Sequence, residues 1–286
     1  MALRTTAELV AQAAADRYGI LAFNIVTLEH AEAVLIGAEA AGRPVILQLS
    51  QNAVRFHGGR LHPLAAAARL MAQSSDTAVA LHLDHVQDEH LLRQAGDAGF
   101  SSVMYDAGAF GYDENVARTS AAVEWAHGCG LWVEAELGYV GGKPDAPANA
   151  HAAGVRTDPE EAREFVARTG VDALAVAVGS SHAMTSRSAA LDKDLIARLR
   201  EAVAVPLVLH GSSGVPDDEL RHAVDAGMVK VNVGTALGMA FTGAVRTVLA
   251  ADEALVDPRT YLGAAREAMA GVVENLMAVL YGATPD

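Results

Sequence analysis

Short apolar segments recur along the whole chain, and an amphipathic stretch follows nearly every one of them. The apolar segments are predicted strands at residues 20–25, 44–49, 78–83, 102–105, 131–136, 172–178, 205–210 and 228–233. They are apolar throughout rather than alternating, which is typical of parallel strands covered on both faces. Eight such strands interleaved with helices predict an α/β fold, a single (β/α)8 TIM barrel.

The amphipathic stretches are predicted helices at residues 29–41, 61–73, 87–98, 113–128, 159–169, 191–203 and 216–226. The tail from about residue 252 to 286 is predicted to add C-terminal helices, suited to oligomer contacts. No change of composition divides the chain, and one barrel typically needs about 250 residues. Residues 1–286 are therefore predicted to form one domain.

Charge and cysteine content restrict the partners and the compartment. The formal net charge of −14 argues against a nucleic-acid or anionic-membrane partner. Cys129 is the only cysteine, and the N-terminus lacks the apolar run of a signal peptide, so we expect a cytoplasmic protein without a membrane span. An anionic substrate must then be held by local donors.

Polar or ionisable side chains occur at the C-terminal end of every predicted strand. Because the carboxyl ends of parallel strands meet at one mouth of a barrel, we expect these side chains to converge. They are Asn24, Ser50, Asp84 with His85, Asp106, Glu134 with Glu136, His182, His210 and Asn232.

Three of these residues, His85, His182 and His210, predict a metal site. Neutral imidazoles suit Zn²⁺, and three of them leave a coordination position open for substrate. Among the other histidines, His82 is predicted to be a packed core residue, and the rest, including His30, are predicted to lie at the surface.

Carboxylates accompany the predicted metal ligands. Asp84 precedes His85 and is expected on the opposite side of the chain, where it either orients a ligand or transfers a proton beside the metal. Asp106 and Glu136 either bind an additional, weaker cation or hydrogen-bond the mouth. Lys230 shares the face of Asn232, so Schiff-base chemistry is a rival, although the three histidines favour a metal.

Two glycine-containing turns follow the seventh and eighth strands, where barrels frequently bind phosphate through backbone N–H groups. The first contains Gly211, Ser212, Ser213 and Gly214, and the second contains Asn232, Val233, Gly234 and Thr235.

Residues 138–157 have neither helical nor strand period, and they form either an active-site lid or a mobile surface loop.

These motifs together resemble the class II, zinc-dependent ketose-bisphosphate aldolases, and most closely their fructose-bisphosphate and tagatose-bisphosphate branch. The matching segments are AFNI, LHLDH, SVMYDA, VEAELG, LAVAVGSSH, PLVLHGSSG, VKVNVGT and DPRTYL, which run from residue 22 to about 270.

The resemblance implies a role for each matching residue. It makes His85, His182 and His210 the zinc ligands, Asp84 the catalytic proton donor, and Asp106 with Glu136 the ligands of an additional divalent or monovalent cation. It makes Arg259 a ligand of the distal phosphate, supplied by a neighbouring subunit. The implied contacts of dihydroxyacetone phosphate and the rest of the substrate are Asn24, Ser50, Ala183, Gly211, Ser212, Ser213, Asn232, Val233, Gly234 and Thr235.

The reaction that the resemblance implies is reversible cleavage of a ketose 1,6-bisphosphate, by default fructose 1,6-bisphosphate, to dihydroxyacetone phosphate and an aldehyde such as glyceraldehyde 3-phosphate. Zinc would polarise the ketone and stabilise the enediolate. Tagatose 1,6-bisphosphate or another phosphorylated keto-sugar is the alternative substrate, and a phosphosugar-binding barrel with impaired catalysis is the alternative function. A homodimer or homotetramer is expected.

Three positions depart from the family pattern. After the fifth strand the family has two glycines followed by acidic residues, one of which is the enolising base, whereas here Lys143 and Pro144 follow and Asp145 is the nearby carboxylate. Ala183 replaces a glycine, and Gly108 replaces a serine.

Overall fold

A computed structural model describes residues 2–140 and 156–281. Eight parallel strands, each paired with the next in the chain and β8 with β1, close into a barrel, which confirms the predicted fold. The strands are β1 (Ile20–Asn24), β2 (Val45–Ser50), β3 (Val79–Val86), β4 (Ser102–Tyr105), β5 (Trp132–Leu137), β6 (Ala173–Val176), β7 (Leu207–Leu209) and β8 (Met228–Val233).

Helices surround the barrel. They are α1 (Thr6–Asp16), α2 (Leu28–Ala41), α3 (Gln51–Phe56), α4 (Leu61–Ser74), α5 (Glu89–Leu92), α6 (Tyr112–Gly128), α7 (Pro159–Thr169), α8 (Lys193–Ala202), α9 (Asp217–Ala226), α10 (Thr235–Ala251) and α11 (Pro258–Tyr281). Side-chain caps fix several helix starts. Asp158 accepts from two backbone N–H groups of α7, and Asp192 accepts from one of α8.

The predicted helix at 87–98 is wrong in extent. Asp88 caps α5, but this helix ends after four residues, and Gln94 and Ala95 then donate to carbonyls three residues back. Gly96 and Gly99 follow closely, and glycine disfavours a continuous helix because it loses the most backbone freedom on folding. The segment therefore continues as turns.

Side chains of each strand divide between an outer core and the barrel interior. Leu21, Phe23 and the residues at equivalent outward positions of the other strands pack against the helices. Ile20 and Ile46 face inward, where they pack with Leu9 and Val10 of α1. Helix α1 therefore closes the N-terminal end of the barrel, and the C-terminal end stays accessible.

Helices α10 and α11 follow the eighth strand and pack against each other, and α11 also packs along α2. They bury His30, which is only 7% exposed, so its prediction as a surface residue is wrong. The His30 ring stacks on Phe241 of α10 at 5.4 Å between centroids. Within the described part of the chain, no helix is long and apolar enough to cross a membrane.

Candidate metal centre and active site

A cavity of about 260 Å³ opens at the C-terminal end of the barrel, and it brings most of the predicted site residues together. Its lining residues are Asn24, Ser50, Asn52, Asp84, His85, Ser181, His182, Ala183, Gly211, Ser213, Asn232, Gly234 and Thr235. Asn52 and Ser181 were missed from the sequence. Asn52 lies in the unpredicted helix α3, whose cap by Ser50 was the available signal.

A bulge places His85 at the cavity. Strand β3 continues to Val86 rather than ending at residue 83, and its pairing with β4 shifts register between Leu83 and Val86. His85 has a φ of 49°, in the left-handed region. The bulge lets both Asp84 and His85 line the same cavity, so the expectation that they lie on opposite sides of the chain is wrong.

The three histidines form one cluster. Their ring centroids lie 4.9 Å apart for His85 and His210, 5.2 Å for His85 and His182, and 5.7 Å for His182 and His210. One ligand atom from each, together with a carboxylate oxygen of Glu136, all lie within 4.8 Å of one another. Three imidazoles and a carboxylate are donors that Zn²⁺ accepts, so these residues fit a divalent metal ion.

Neighbouring carboxylates orient two of these histidines. His85 Nδ1 donates to Asp106 Oδ2 at 3.2 Å, and His210 Nε2 donates to Glu134 Oε1 at 2.8 Å. His210 Nδ1 lies 3.1 Å from Glu136 Oε2. Asp106 and Glu134 therefore hold candidate ligands through hydrogen bonds. Glu136 is itself a member of the donor cluster, which consists of His85, Glu136, His182 and His210.

The same carboxylates raise the pKa of the candidate ligands. Burial alone would lower the pKa of His210, but hydrogen bonds to Glu134 and Glu136 raise it to about 9. Burial alone would also lower the pKa of His85. The negative charge of Asp84 and the hydrogen bond to Asp106 outweigh burial, so this pKa is raised. A metal ion that binds at this centre must displace those protons.

Asp84 is a buried carboxylate at the cavity wall, 2% exposed. Burial opposes ionisation, but His85 and His210 hold its pKa below the usual value. Gln48 Nε2 donates to Asn24 Oδ1 and Asn24 Nδ2 donates to Asp84 Oδ2, each at 2.9 Å. Asp84 Oδ1 accepts no hydrogen bond from any described residue. One oxygen is thus fixed, and the other remains able to exchange a proton.

The loops after β6 and β7 are in direct contact beside the cavity. Gly211 has a φ of 66°, and a Cβ there would lie 2.6 Å from the carbonyl of Ser181, so a side chain is excluded. Ser212 donates to the backbone carbonyl of Asn232, and Ser213 Oγ accepts from the N–H of Ala236 in the first turn of α10. These bonds tie both glycine turns together at the start of a helix.

Two predicted contact residues of these turns, Ser212 and Val233, do not line the cavity, and Ser212 is 3% exposed. Val233 is 1% exposed and packs in the outer core, so only its backbone is near the turn. Ala183 lines the cavity with a φ of 57°, in the left-handed region that glycine adopts without strain. Gly108 donates its N–H to Asp106 Oδ1 at 3.1 Å and so helps hold that carboxylate.

Lys230 points into the barrel, as its spacing from Asn232 predicts. It is completely buried, and its Nζ donates to Glu134 Oε2 at 2.8 Å and to Asn232 Oδ1 at 2.7 Å. It does not line the cavity, and an ammonium held by two acceptors is a poor nucleophile. The geometry disfavours Schiff-base chemistry.

Arg259 does not line the cavity, and most of the predicted loop is not described. The side chain of Arg259 is 90% exposed and pairs with Asp257. In the 138–157 segment, residues 141–155 lie outside the described residues, and these include Lys143, Pro144 and Asp145.

An accessible (β/α)8 barrel with a three-histidine centre beside two glycine turns defines a barrel enzyme with a candidate metal site. Comparison with known proteins specifies which. The family model described as fructose-bisphosphate aldolase class-II matches residues 4–284. Fructose-bisphosphate aldolase of Geobacillus stearothermophilus is 40% identical over 278 residues, 97% of this chain and 96% of that protein.

Two further relatives agree. Fructose-bisphosphate aldolase of Thermus caldophilus is 38% identical, covering 96% of this chain and 97% of that protein. The crystal structure of the YdjI aldolase from Escherichia coli K12 superposes with a TM-score of 0.84 at 32% identity, covering 97% of both chains. The chain belongs to the class-II fructose-bisphosphate aldolase family and is a lyase, which confirms the predicted family and enzyme class.

Proposed function

We propose that this aldolase reversibly cleaves fructose 1,6-bisphosphate to dihydroxyacetone phosphate and glyceraldehyde 3-phosphate in a Zn²⁺-dependent reaction. The observation that carries the proposal is the shared cavity of His85, His182 and Asp84, with His210 directly behind them. The family match over residues 4–284 supports the same chemistry.

His85, His182 and His210 would hold the zinc ion, and Glu136 is the additional carboxylate within their reach. The bound ion would supply a Lewis acid that polarises the ketone oxygen of the substrate. Asp106 orients His85, and Glu134 orients His210, through the hydrogen bonds described above. An additional cation at Asp106 and Glu136 stays a prediction.

Asp84 is the proton-transfer group in this proposal. In cleavage, its free oxygen Oδ1 takes the proton of the C4 hydroxyl as the C3–C4 bond breaks, and in synthesis it returns that proton to the aldehyde oxygen. Asn24 keeps Oδ2 occupied, so the exchange is confined to one oxygen. The group that protonates C3 remains a prediction, with Asp145 the carboxylate that the sequence offers.

The phosphate of dihydroxyacetone phosphate would lie at the two glycine turns. Among the described residues that line the cavity, none is Lys or Arg, so the donors there, apart from the two histidines, are hydroxyls, amides and backbone N–H groups. The N-terminus of α10 begins at Thr235, and a helix N-terminus favours an anion. Neutral donors of this kind suit a phosphate site in a protein of net charge −14.

We further propose that a second copy of the chain supplies Arg259 for the distal phosphate. Helix α10 is strongly apolar, yet Leu237 is its one buried residue, and Met239 is 48% exposed. An apolar helix that the described chain covers on one side only suits contact between subunits, and the exposed Arg259 follows it closely in the chain.

Two other expectations stay predictions. One is that the chain forms a single domain, and the other is that it lies in the cytoplasm, which its single cysteine supports.

The test is an assay of zinc-loaded protein on fructose and tagatose 1,6-bisphosphates, with triose phosphate release as the readout. We expect fructose 1,6-bisphosphate to be the better substrate, and we expect a chelator to abolish activity and zinc to restore it. Activity that survives chelation, or a clear preference for tagatose 1,6-bisphosphate, would contradict the proposal.

The replacement of the usual acidic residues by Lys143 and Pro144 favours a second candidate, a phosphosugar-binding barrel with impaired catalysis. Exchange of the C3 proton of dihydroxyacetone phosphate with solvent distinguishes the two. Zinc-dependent exchange eliminates the binding protein, and its absence in zinc-loaded protein eliminates the aldolase.

A further inference from the structure

A cluster of charged side chains lies inside the barrel, directly beneath the cavity. Lys230 of β8 and Glu134 of β5 form an ion pair of 2.8 Å, and neither is exposed. His82 approaches the same carboxylate oxygen, with 3.9 Å between His82 Nε2 and Glu134 Oε2. Burial and the Lys230 charge lower the pKa of His82 to about 3, so it is neutral there.

An ion pair in this place is not explained by stability. Desolvation of two charges costs about as much as their attraction returns, and well-packed apolar side chains of similar volume commonly stabilise a core as well. The deeper interior of this barrel is built in that way, from Ile20, Ala22, Ile46 and Ala80. The charged pair occurs where the apolar layer meets the catalytic residues.

Each member of the pair controls one neighbour that belongs to the site. Glu134 accepts from Lys230 Nζ through Oε2, and its other carboxylate oxygen, Oε1, faces His210 Nε2. It can only accept from His210 Nε2–H, which leaves Nδ1 for the donor cluster. Lys230 can only donate, so it fixes Oδ1 of Asn232 and leaves the Asn232 amide N–H groups for a ligand in the cavity.

We propose that Lys230 and Glu134 are positioning residues, which as one buried pair set both the tautomer of His210 and the amide orientation of Asn232. Metal affinity and substrate affinity are thereby tied to the same ion pair. This inference rests on the proposed function, since it assigns the metal to His210 and the substrate to Asn232.

The test replaces both partners, so that no unpaired charge is left in the core. Lys230→Met with Glu134→Gln keeps similar volumes, and Glu32→Gln with Arg266→Met is the control, because it removes an ion pair of 2.7 Å between α2 and α11. Zinc affinity is measured by competition with a chromophoric chelator, and KM and kcat are measured at saturating zinc. We expect zinc affinity about 10–100-fold lower in the first variant, with KM raised more than kcat is lowered, and wild-type values in the control.

The outcomes separate this inference from the proposed function. Wild-type protein that neither binds zinc nor cleaves fructose 1,6-bisphosphate overturns the proposed function. An active wild type, with zinc affinity and KM unchanged in the Lys230/Glu134 variant, overturns only the inference, whatever happens to its melting temperature.

If the Lys230/Glu134 variant does not fold, a measurement on wild-type protein still tests the inference. In the ¹⁵N-histidine NMR spectrum of the zinc-loaded protein, we expect His210 to bind the metal through Nδ1 and to carry its proton on Nε2. The reverse assignment would contradict the role of Glu134.

Discussion

The two ends of this barrel are built from the same strands but from different inward-facing side chains. At the N-terminal end, Ile20 of β1 packs with Leu9 and Val10 of α1, and the interior is closed and apolar. At the C-terminal end, Asn24 of the same strand lines the cavity. Four positions along one strand therefore separate a packed apolar layer from the cavity. Substitutions at the C-terminal end should lower kcat with little effect on stability, and substitutions at the N-terminal end should lower stability with little effect on kcat.

The largest expected effect is on catalysis at the C-terminal end. Asp84→Asn keeps the shape of the side chain but removes its ability to take a proton, so kcat should fall about 10²–10⁴-fold while the melting temperature changes little. Steady-state cleavage kinetics check this, and Asp16→Asn at the other end of the barrel is the control. Wild-type kcat in Asp84→Asn would remove Asp84 from the mechanism.

The N-terminal end should show the converse. Leu9 is 3% exposed, so Leu9→Ala should lower the free energy of unfolding by about 2–5 kcal/mol and leave kcat of the folded, zinc-loaded protein unchanged. Urea unfolding measures the loss. Leu28→Ala, at a side chain 47% exposed, is the control and should change stability by less than about 0.5 kcal/mol. A large fall in kcat in Leu9→Ala would mean that the two ends are not separable.

Zinc affinity should depend on pH. The pKa of His210 in the metal-free protein is raised from 6.5 to about 9, so His210 holds its proton at pH 7 and loses it as the pH rises through about 9. A metal ion must displace that proton, so zinc affinity should fall at least tenfold for each pH unit below about 9, and more steeply where His85, whose pKa is also raised, is protonated too. Chelator competition between pH 7 and 8.5 tests this, and an affinity independent of pH would contradict it.

The smallest effect concerns strain at the cavity. Ala183 has a φ of 57°, which glycine adopts freely, so Ala183→Gly should raise the free energy of unfolding by less than about 1 kcal/mol. Ala240→Gly, within α10, should lower it by about 0.5–1 kcal/mol. If both variants lose the same stability, the backbone at Ala183 is not strained.

Much of the fold and the site could be predicted from the sequence because the signals are local. Each strand is a short apolar run, and the residues after it must meet at one mouth once the strands are parallel. On that basis the sequence predicts that His85, His182, His210, Asn24 and Asn232 meet at the C-terminal end of the barrel, and the structure places them there.

The remainder depends on contacts between residues far apart in the chain. The bulge at His85 arises from pairing of β3 with β4, and the hydrogen bond from His210 to Glu134 joins residues 76 positions apart. His30 is buried because the helices that follow the eighth strand cover it, with Phe241 of α10 stacked on its ring. None of these follows from the period of a single segment.

The most direct test of the metal centre is anomalous diffraction at the zinc edge from crystals of the zinc-loaded protein. We predict one strong peak in contact with His85, His182 and His210, next to the cavity that Asp84 lines. A zinc-loaded protein that cleaves fructose 1,6-bisphosphate with no peak at these three histidines would contradict the account.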